Sequence, residues 1–123
     1  MSSVLSIFCT QLINFFEELS VVIPEERDIK KGLEMIKMAK SANPRLLADL
    51  FYEHVHIPFN QFISARDIHS MVAKSRKKIE TEFNEIMPAL VIFDKYWESL
   101  STVNQNAIWG YMDVLCKLVA KTR

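Results

Sequence analysis

The sequence predicts an all-α protein: a compact single-domain bundle of five to six helices. Three observations carry that reading. Apolar residues recur at spacings of three and four along almost the whole chain, the period of a helix with one buried face. No segment sustains the apolar–polar alternation of a strand, and no Asn-Gly or Asp-Gly pair offers a hairpin turn. Only two glycines and four prolines occur in 123 residues, and the prolines fall where helical patterns begin or end. Half of the residues are hydrophobic, enough for a chain of this length to close one core, so residues 1–123 are read as a single helical domain. No repeat with a period of ~20–50 residues is present.

The first helix spans about Ser3 to Leu19, with Leu5, Phe8, Leu12, Phe15, Phe16 and Leu19 as its apolar stripe and Ser2 or Ser3 as its cap. Pro24 breaks the pattern and opens a second helix, with Glu25 and Glu26 in the first turn, where the dipole favours carboxylates. Its buried stripe is Ile29, Leu33 and Ile36 with Met35 at the edge, while Lys30, Lys31, Lys37 and Lys40 face solvent. Asn43-Pro44 is a start signal, an asparagine cap ahead of a proline at the first helical position. The third helix carries Leu46, Leu47, Leu50, Phe51 and Val55 and stops before Pro58, leaving residues 57–65 as a loop with a short helical turn. Asp67 caps a fourth helix with Ile68, Met71, Val72, Ile79, Phe83 and Ile86 inward, ended or kinked by Pro88. A fifth runs through MPALVIFDKYWESLS. Ser101 caps the last, in which Val103, Ala107, Ile108, Tyr111, Met112, Leu115, Leu118 and Val119 recur at helical spacing. Phe8, Leu12, Phe16, Leu33, Leu50, Phe51, Phe83, Leu90, Phe93 and Trp97 are expected in the core.

Fifteen basic residues balance fifteen acidic ones, which argues against a surface devoted to nucleic acid or anionic lipid. No apolar run approaches ~18 residues, so no membrane span is expected. The N-terminal MSSVLSIFCTQLINFF lacks the basic leader and cleavage site of a signal peptide, and Gln11 and Asn14 interrupt it. Cys9 and Cys116 both sit among apolar neighbours in helical patterns. They read as buried thiols in a reducing, intracellular compartment, with a disulfide between the chain ends as the alternative.

No catalytic motif stands out. GxSxG, P-loop and dinucleotide glycine patterns are absent, and neither cysteine has a histidine close in sequence. Few loops remain to hold a catalytic constellation, so no enzymatic activity and no cofactor are expected. His54, His56 and His69 with Glu53 and Asp67 place metal-ligating side chains near one predicted loop. Residues two apart on a helix point in different directions, however, and the spacing fits no zinc motif, so no metal is expected. Lys74, Arg76, Lys77 and Lys78 form a basic cluster, the candidate nucleic-acid face. Glu80 and Glu82 follow Arg76 and Lys78 by four residues, which reads as paired charges on a solvated surface, and no aromatic is interleaved to stack bases. Gly32 and Gly110 lie inside helical patterns, each costing its helix about 1 kcal/mol relative to alanine. Close approach of another helix is the expected gain.

On a helix, Leu90, Phe93, Trp97 and Leu100 line one face, Ile92, Tyr96 and Val91 lie to its sides, and Asp94, Lys95 and Glu98 leave a narrow polar strip. Such a helix is central in a bundle or covered by a subunit. A bundle of this size rarely surrounds two of them, and the last helix is equally apolar. One of the two is then expected to show a surface patch anchored by Trp or Tyr. Tyr96, Trp109, Tyr111 and Met112 are the candidate partner-binding residues. The expected function is a non-catalytic protein–protein interaction module, associating with itself as a homodimer or with another protein. A nucleic-acid-associated factor using Lys74–Lys78 is the alternative.

Two segments, NPRLLADLFYEHVHIPFNQFI and IFDKYWESLSTVNQNAIWGYMDVLCKL, resemble small helical proteins of nucleocytoplasmic large DNA viruses, the giant viruses of algae and protists. The shared features are an Asn-Pro-led helix with a downstream proline, and a Trp-rich C-terminal pair joined by a Leu-Ser … Asn … Ile-Trp connection. Here that connection is Leu100-Ser101, Asn104 or Asn106, and Ile108-Trp109, within a resemblance covering roughly residues 10–118. It implies a viral protein in host cytoplasm, nucleus or virion, and implies no activity and no site residue. Trp109-Gly110 is also similar to the Trp-Gly signature of Bcl-2-like death regulators. There, however, Ala107-Ile108 replaces an expected Asn and Tyr111 the Arg that pairs with a ligand acid, so nothing is carried over.

Overall fold

The computed structural model describes residues 3–82 and 84–123. Helix α1 (Val4–Val22) begins where Ser3 is extended and its hydroxyl accepts the Ser6 amide, satisfying a free donor of the first turn. Ser2, the other candidate cap, lies outside the described residues, as does Phe83. Phe8, Cys9, Leu12, Phe15, Phe16 and Leu19 are all buried, and α1 packs centrally, against α2 and α7. Among the described residues α1 is, by length and composition, the one helix long and apolar enough to cross a membrane, where the sequence reading expected no such run. Gln11 and Asn14 are uncharged and no charged residue precedes Glu17, so the run stays apolar. Six core-facing residues account for that character.

Helix α2 (Arg27–Ala42) starts later than Pro24 suggests: Pro24 and Glu25 form a turn, and Glu26 is the residue before the helix. Ile29, Gly32 and Ile36 face inward; Leu33 is half-buried and Met35 exposed. Helix α3 (Pro44–Phe51) follows Asn43 and begins with Pro44 as expected, but the Asn43 side chain makes no capping bond, and the helix does not stop at Pro58. The chain stays helical through a π-helical turn, Tyr52–His56, into α4 (Ile57–Ala65). Proline has no amide hydrogen and crowds the preceding turn. The wider π turn, with its i→i+5 bonds, sits directly ahead of Pro58 and accommodates it. Phe59 and Ile63, expected in a loop, are core residues.

Asp67 caps α5 (Ile68–Thr81), its carboxylate accepting both the Ser70 amide and hydroxyl. The helix ends before Ile86, which reaches the core from a turn instead. Helix α6 (Pro88–Val91), a π turn (Ile92–Tyr96) and a 3-10 turn (Trp97–Ser99) form one unbroken run, the fifth helix of the sequence reading. Ser101 then caps α7 (Thr102–Lys121) by accepting the Asn104 amide. With 44–65 and 88–99 each taken as one run, the described residues make a six-helix all-α bundle and contain no strand.

A single cluster of buried side chains joins these elements. It includes Phe8, Leu12, Phe16, Phe51, Leu90, Phe93 and Trp97, while Leu33 and Leu50 pack half-buried at its rim. The run from Pro88 to Phe93 is buried throughout, so the chain itself covers the apolar stretch. Cys9 and Cys116 are unpaired, buried thiols, and burial pushes the Cys116 thiol up to about 12.

Candidate functional site

The four residues expected at a partner contact separate into two pairs. Trp109 and Met112 are core residues, which corrects their assignment as surface anchors. They share the inward stripe of α7 with Ile108, Leu115, Cys116 and Val119, spaced by three and four. Trp109 lies edge-on to Trp97 at 5.1 Å and tilted against Phe93 at 5.7 Å, and Phe93 stacks on Trp97 at 5.2 Å. Tyr96 and Tyr111 are half-buried, each with its hydroxyl committed within the chain. Tyr96 donates to the Glu26 carboxylate at 2.6 Å; Tyr111 donates to Glu18 at 2.9 Å while its ring stacks on Phe15.

The bond to Glu26, with burial, pushes the Tyr96 hydroxyl from its ordinary value near 10 to about 12. The folded chain therefore keeps a proton that the unfolded chain releases first. Stability from this contact is complete below pH 10 and disappears as pH rises from 10 to about 12. Urea unfolding on either side of that window should show a larger loss for the wild type than for Tyr96→Phe. Equal losses would mean the contact does not govern alkaline stability.

Two of the four cations of the Lys74–Lys78 cluster are paired with carboxylates inside the chain. Arg76 Nε donates to Asp94 at 2.7 Å, and Lys78 Nζ meets Glu82 at 2.7 Å, which with His54 holds the Glu82 carboxyl below the usual range. Lys74 Nζ donates to the Pro58 carbonyl and lies over the Phe59 and Phe62 rings. Lys77 has no ion pair among the described residues. The i,i+4 spacing located the partner of Lys78, while Arg76 reaches Asp94 across the bundle and not Glu80. Lys74 and Lys77 are left without a carboxylate partner among the described residues. No three metal-ligating side chains converge among the described residues; His54 bonds Glu82 and His56 stacks on Tyr52.

Between α5 and the 88–99 run lies a depression of about 680 Å³, floored by Phe93 and Trp97 and rimmed by the Arg76–Asp94 pair, Lys95 and Glu98. Its two acids and two bases cancel, and its aromatic floor is already stacked in the core. His69 and Gln105 complete its polar lining.

The outer face of α1 and α7 is different. Nine large apolar side chains are exposed among the described residues, and five of them, Val4, Ile7, Val21, Val103 and Val114, belong to these two helices. On α7, Val103, Ala107, Gly110 and Val114 follow at 4-3-4 spacing, the spacing of a packing seam, on the side away from Ile108 and Met112. Val103 is 77% exposed and Val114 45%. A Cβ placed on Gly110 would meet nothing within 4 Å. The close approach expected of this glycine is therefore not made by any of the described residues. Gln11, Ala107, Gly110, Tyr111 and Val114 line an open, mainly apolar hollow of about 340 Å³. Sequence periodicity contained this seam but merged it with the inward stripe of the same helix. Tyr111 is the one candidate residue that borders it. No protein-family model, curated protein or solved structure matches the chain.

Proposed function

We propose that the protein is a non-catalytic interaction module that self-associates through the α1–α7 face, a second copy crossing at Gly110. One observation carries this reading: a glycine inside α7 that stands over open space. Such a glycine weakens its helix by about 1 kcal/mol, and none of the described residues packs against it in return. A helix from outside can approach closest there.

Two further features bear on a second copy. A two-fold contact sets a patch opposite itself, so an unpaired charge would face its like. Here Lys117 is ion-paired with Asp113 at 2.9 Å, while Glu18, held by the neutral Tyr111 hydroxyl, keeps its charge. The face is at the lower end of the size range of specific interfaces. Helices of 19 and 20 residues are ~30 Å long and pack ~10 Å apart, a footprint of roughly 600 Å² before side chains interlock. A standard interface buries about 800 Å² per partner. The viral, intracellular setting implied by the giant-virus resemblance belongs to the same proposal.

Light scattering at micromolar concentration tests it. The wild type should have the mass of two chains, and Val103→Glu with Val114→Glu the mass of one. Gly110→Ala separates the seam from its surroundings, because a methyl group in a close crossing weakens the dimer while leaving each bundle intact. A wild type that stays monomeric sinks the proposal.

A further inference from the structure

We propose a second docking surface, independent of the first: the outward side of α2, whose chemistry fits an acidic amphipathic peptide segment of a partner protein. Helix α2 carries Arg27, Lys30, Lys31, Lys37 and Lys40 against Asp28 and Glu34, a net +3 in a chain whose formal charge is zero. Most of this charge has no local carboxylate partner among the described residues. Among the described residues no carboxylate lies within ion-pair distance of Lys30 or Lys31, and Lys37 reaches Glu17 only at 3.7 Å, both side chains half exposed.

Two methionines accompany the lysines. Met38 is 72% exposed, and Met35 lies one turn before it. Lys31, Met35 and Met38 follow at i, i+4 and i+7 and so share one strip, with Lys30, Glu34 and Lys37 beside it. Methionine is flexible and polarizable, suited to receiving apolar side chains of varied shape. The opposite side of α2 is fixed: Ile29, Gly32 and Ile36 are buried, and Gly32 is wedged against Phe16 and Pro88. The strip is therefore presented on a rigid element.

Three kinds of partner bring negative charge, and the face distinguishes them. A membrane surface is a sheet of anions that would oppose Glu34, and the main apolar stripe of α2 is buried, leaving no wedge to insert. Single-stranded nucleic acid is held by aromatic stacking, and α2 contains no aromatic residue. A peptide can set carboxylates at Lys30, Lys31 and Lys37 and an apolar side chain on Met35 and Met38, matching both chemistries at once.

The test uses a fluorescein-labelled peptide of about 15 residues, long enough to form a helix, with Glu and Leu at helical spacing. Controls are the same peptide with each Leu replaced by Ser, vesicles of phosphatidylserine in phosphatidylcholine, and oligo-dT. At low salt, where surface charges are least screened, the Glu/Leu peptide should bind about tenfold more tightly than the Glu/Ser peptide. Charge reversal at Lys30, Lys31 and Lys37 should weaken it at least tenfold. Met35→Ser with Met38→Ser should weaken it several-fold, with an unchanged circular-dichroism spectrum. The monomeric Val103→Glu/Val114→Glu variant should bind like the wild type, which keeps this proposal separate from self-association. Absence of peptide binding, equal affinity for both peptides, or stronger binding to vesicles or oligo-dT would each overturn it.

Discussion

Phe93→Ala is expected to remove about 3–5 kcal/mol of folding stability, a large part of what a small domain has. Phe93 is fully buried, stacked on Trp97 and tilted against Trp109. Truncation deletes the apolar burial of the ring and leaves a cavity between two indoles. Neither indole is free to fill it. Trp97 belongs to a tight turn whose carbonyl is held by the Gln105 side chain at 2.7 Å, and Trp109 is fixed on α7 among its inward neighbours. The loss should therefore lie toward the upper end of the range, since sites that collapse poorly cost most. Urea unfolding with an unchanged slope would report it as a shift in midpoint. A loss below ~1 kcal/mol would contradict the register of the 88–99 run.

Three helix starts were legible because capping is local chemistry, whereas α2 starts three residues after Pro24 without a side-chain cap. Ser3, Asp67 and Ser101 each accept an amide three residues on, a relation written in the sequence itself. Helix ends were less legible because packing overrides local rules. Pro58 should end a helix, yet burial of Phe59 and Ile63 keeps the chain helical, with the π turn absorbing the misfit. The apolar period of α5 continues on paper to Ile86, but the chain turns after Thr81, and Asn84 accepts the Ile86 amide to hold that turn. Pairs distant in sequence were invisible: the partner of Arg76 lies 18 residues on, and that of Tyr96 lies 70 residues back.

The candidate site was half legible for a related reason. Helix α7 carries two apolar stripes, and periodicity alone does not say which one the bundle covers. Size suggested that Trp109 and Met112 would be surplus. The bundle instead takes in these largest side chains, where burial removes most apolar area from water, and leaves Val103, Ala107, Gly110 and Val114 outside. The sequence thus named the helix that carries the exposed seam but not the residues that form it.

Gly32→Val is expected to destabilise the fold by about 1–3 kcal/mol, although replacing a glycine inside a helix ordinarily stabilises it. At this position a Cβ would stand 3.0 Å from Phe16 Cε2, 3.2 Å from Pro88 Cγ and 3.5 Å from the Glu85 carbonyl oxygen. Comfortable carbon–carbon contact begins near ~3.5 Å. Phe16 is fully buried and Pro88 starts a buried helical run, so neither has room to retreat. Valine adds two more methyl groups beyond the Cβ, which makes relief by small shifts insufficient. Gly110→Ala should act in the opposite direction. With nothing within 4 Å, it gains the helix propensity of alanine, about 1 kcal/mol, without a clash. The comparison belongs in the Val103→Glu/Val114→Glu background, where self-association adds nothing to stability. Two glycines that look alike in the sequence should thus give changes of opposite sign. A neutral Gly32→Val would mean that α2 is not held against Phe16 and Pro88.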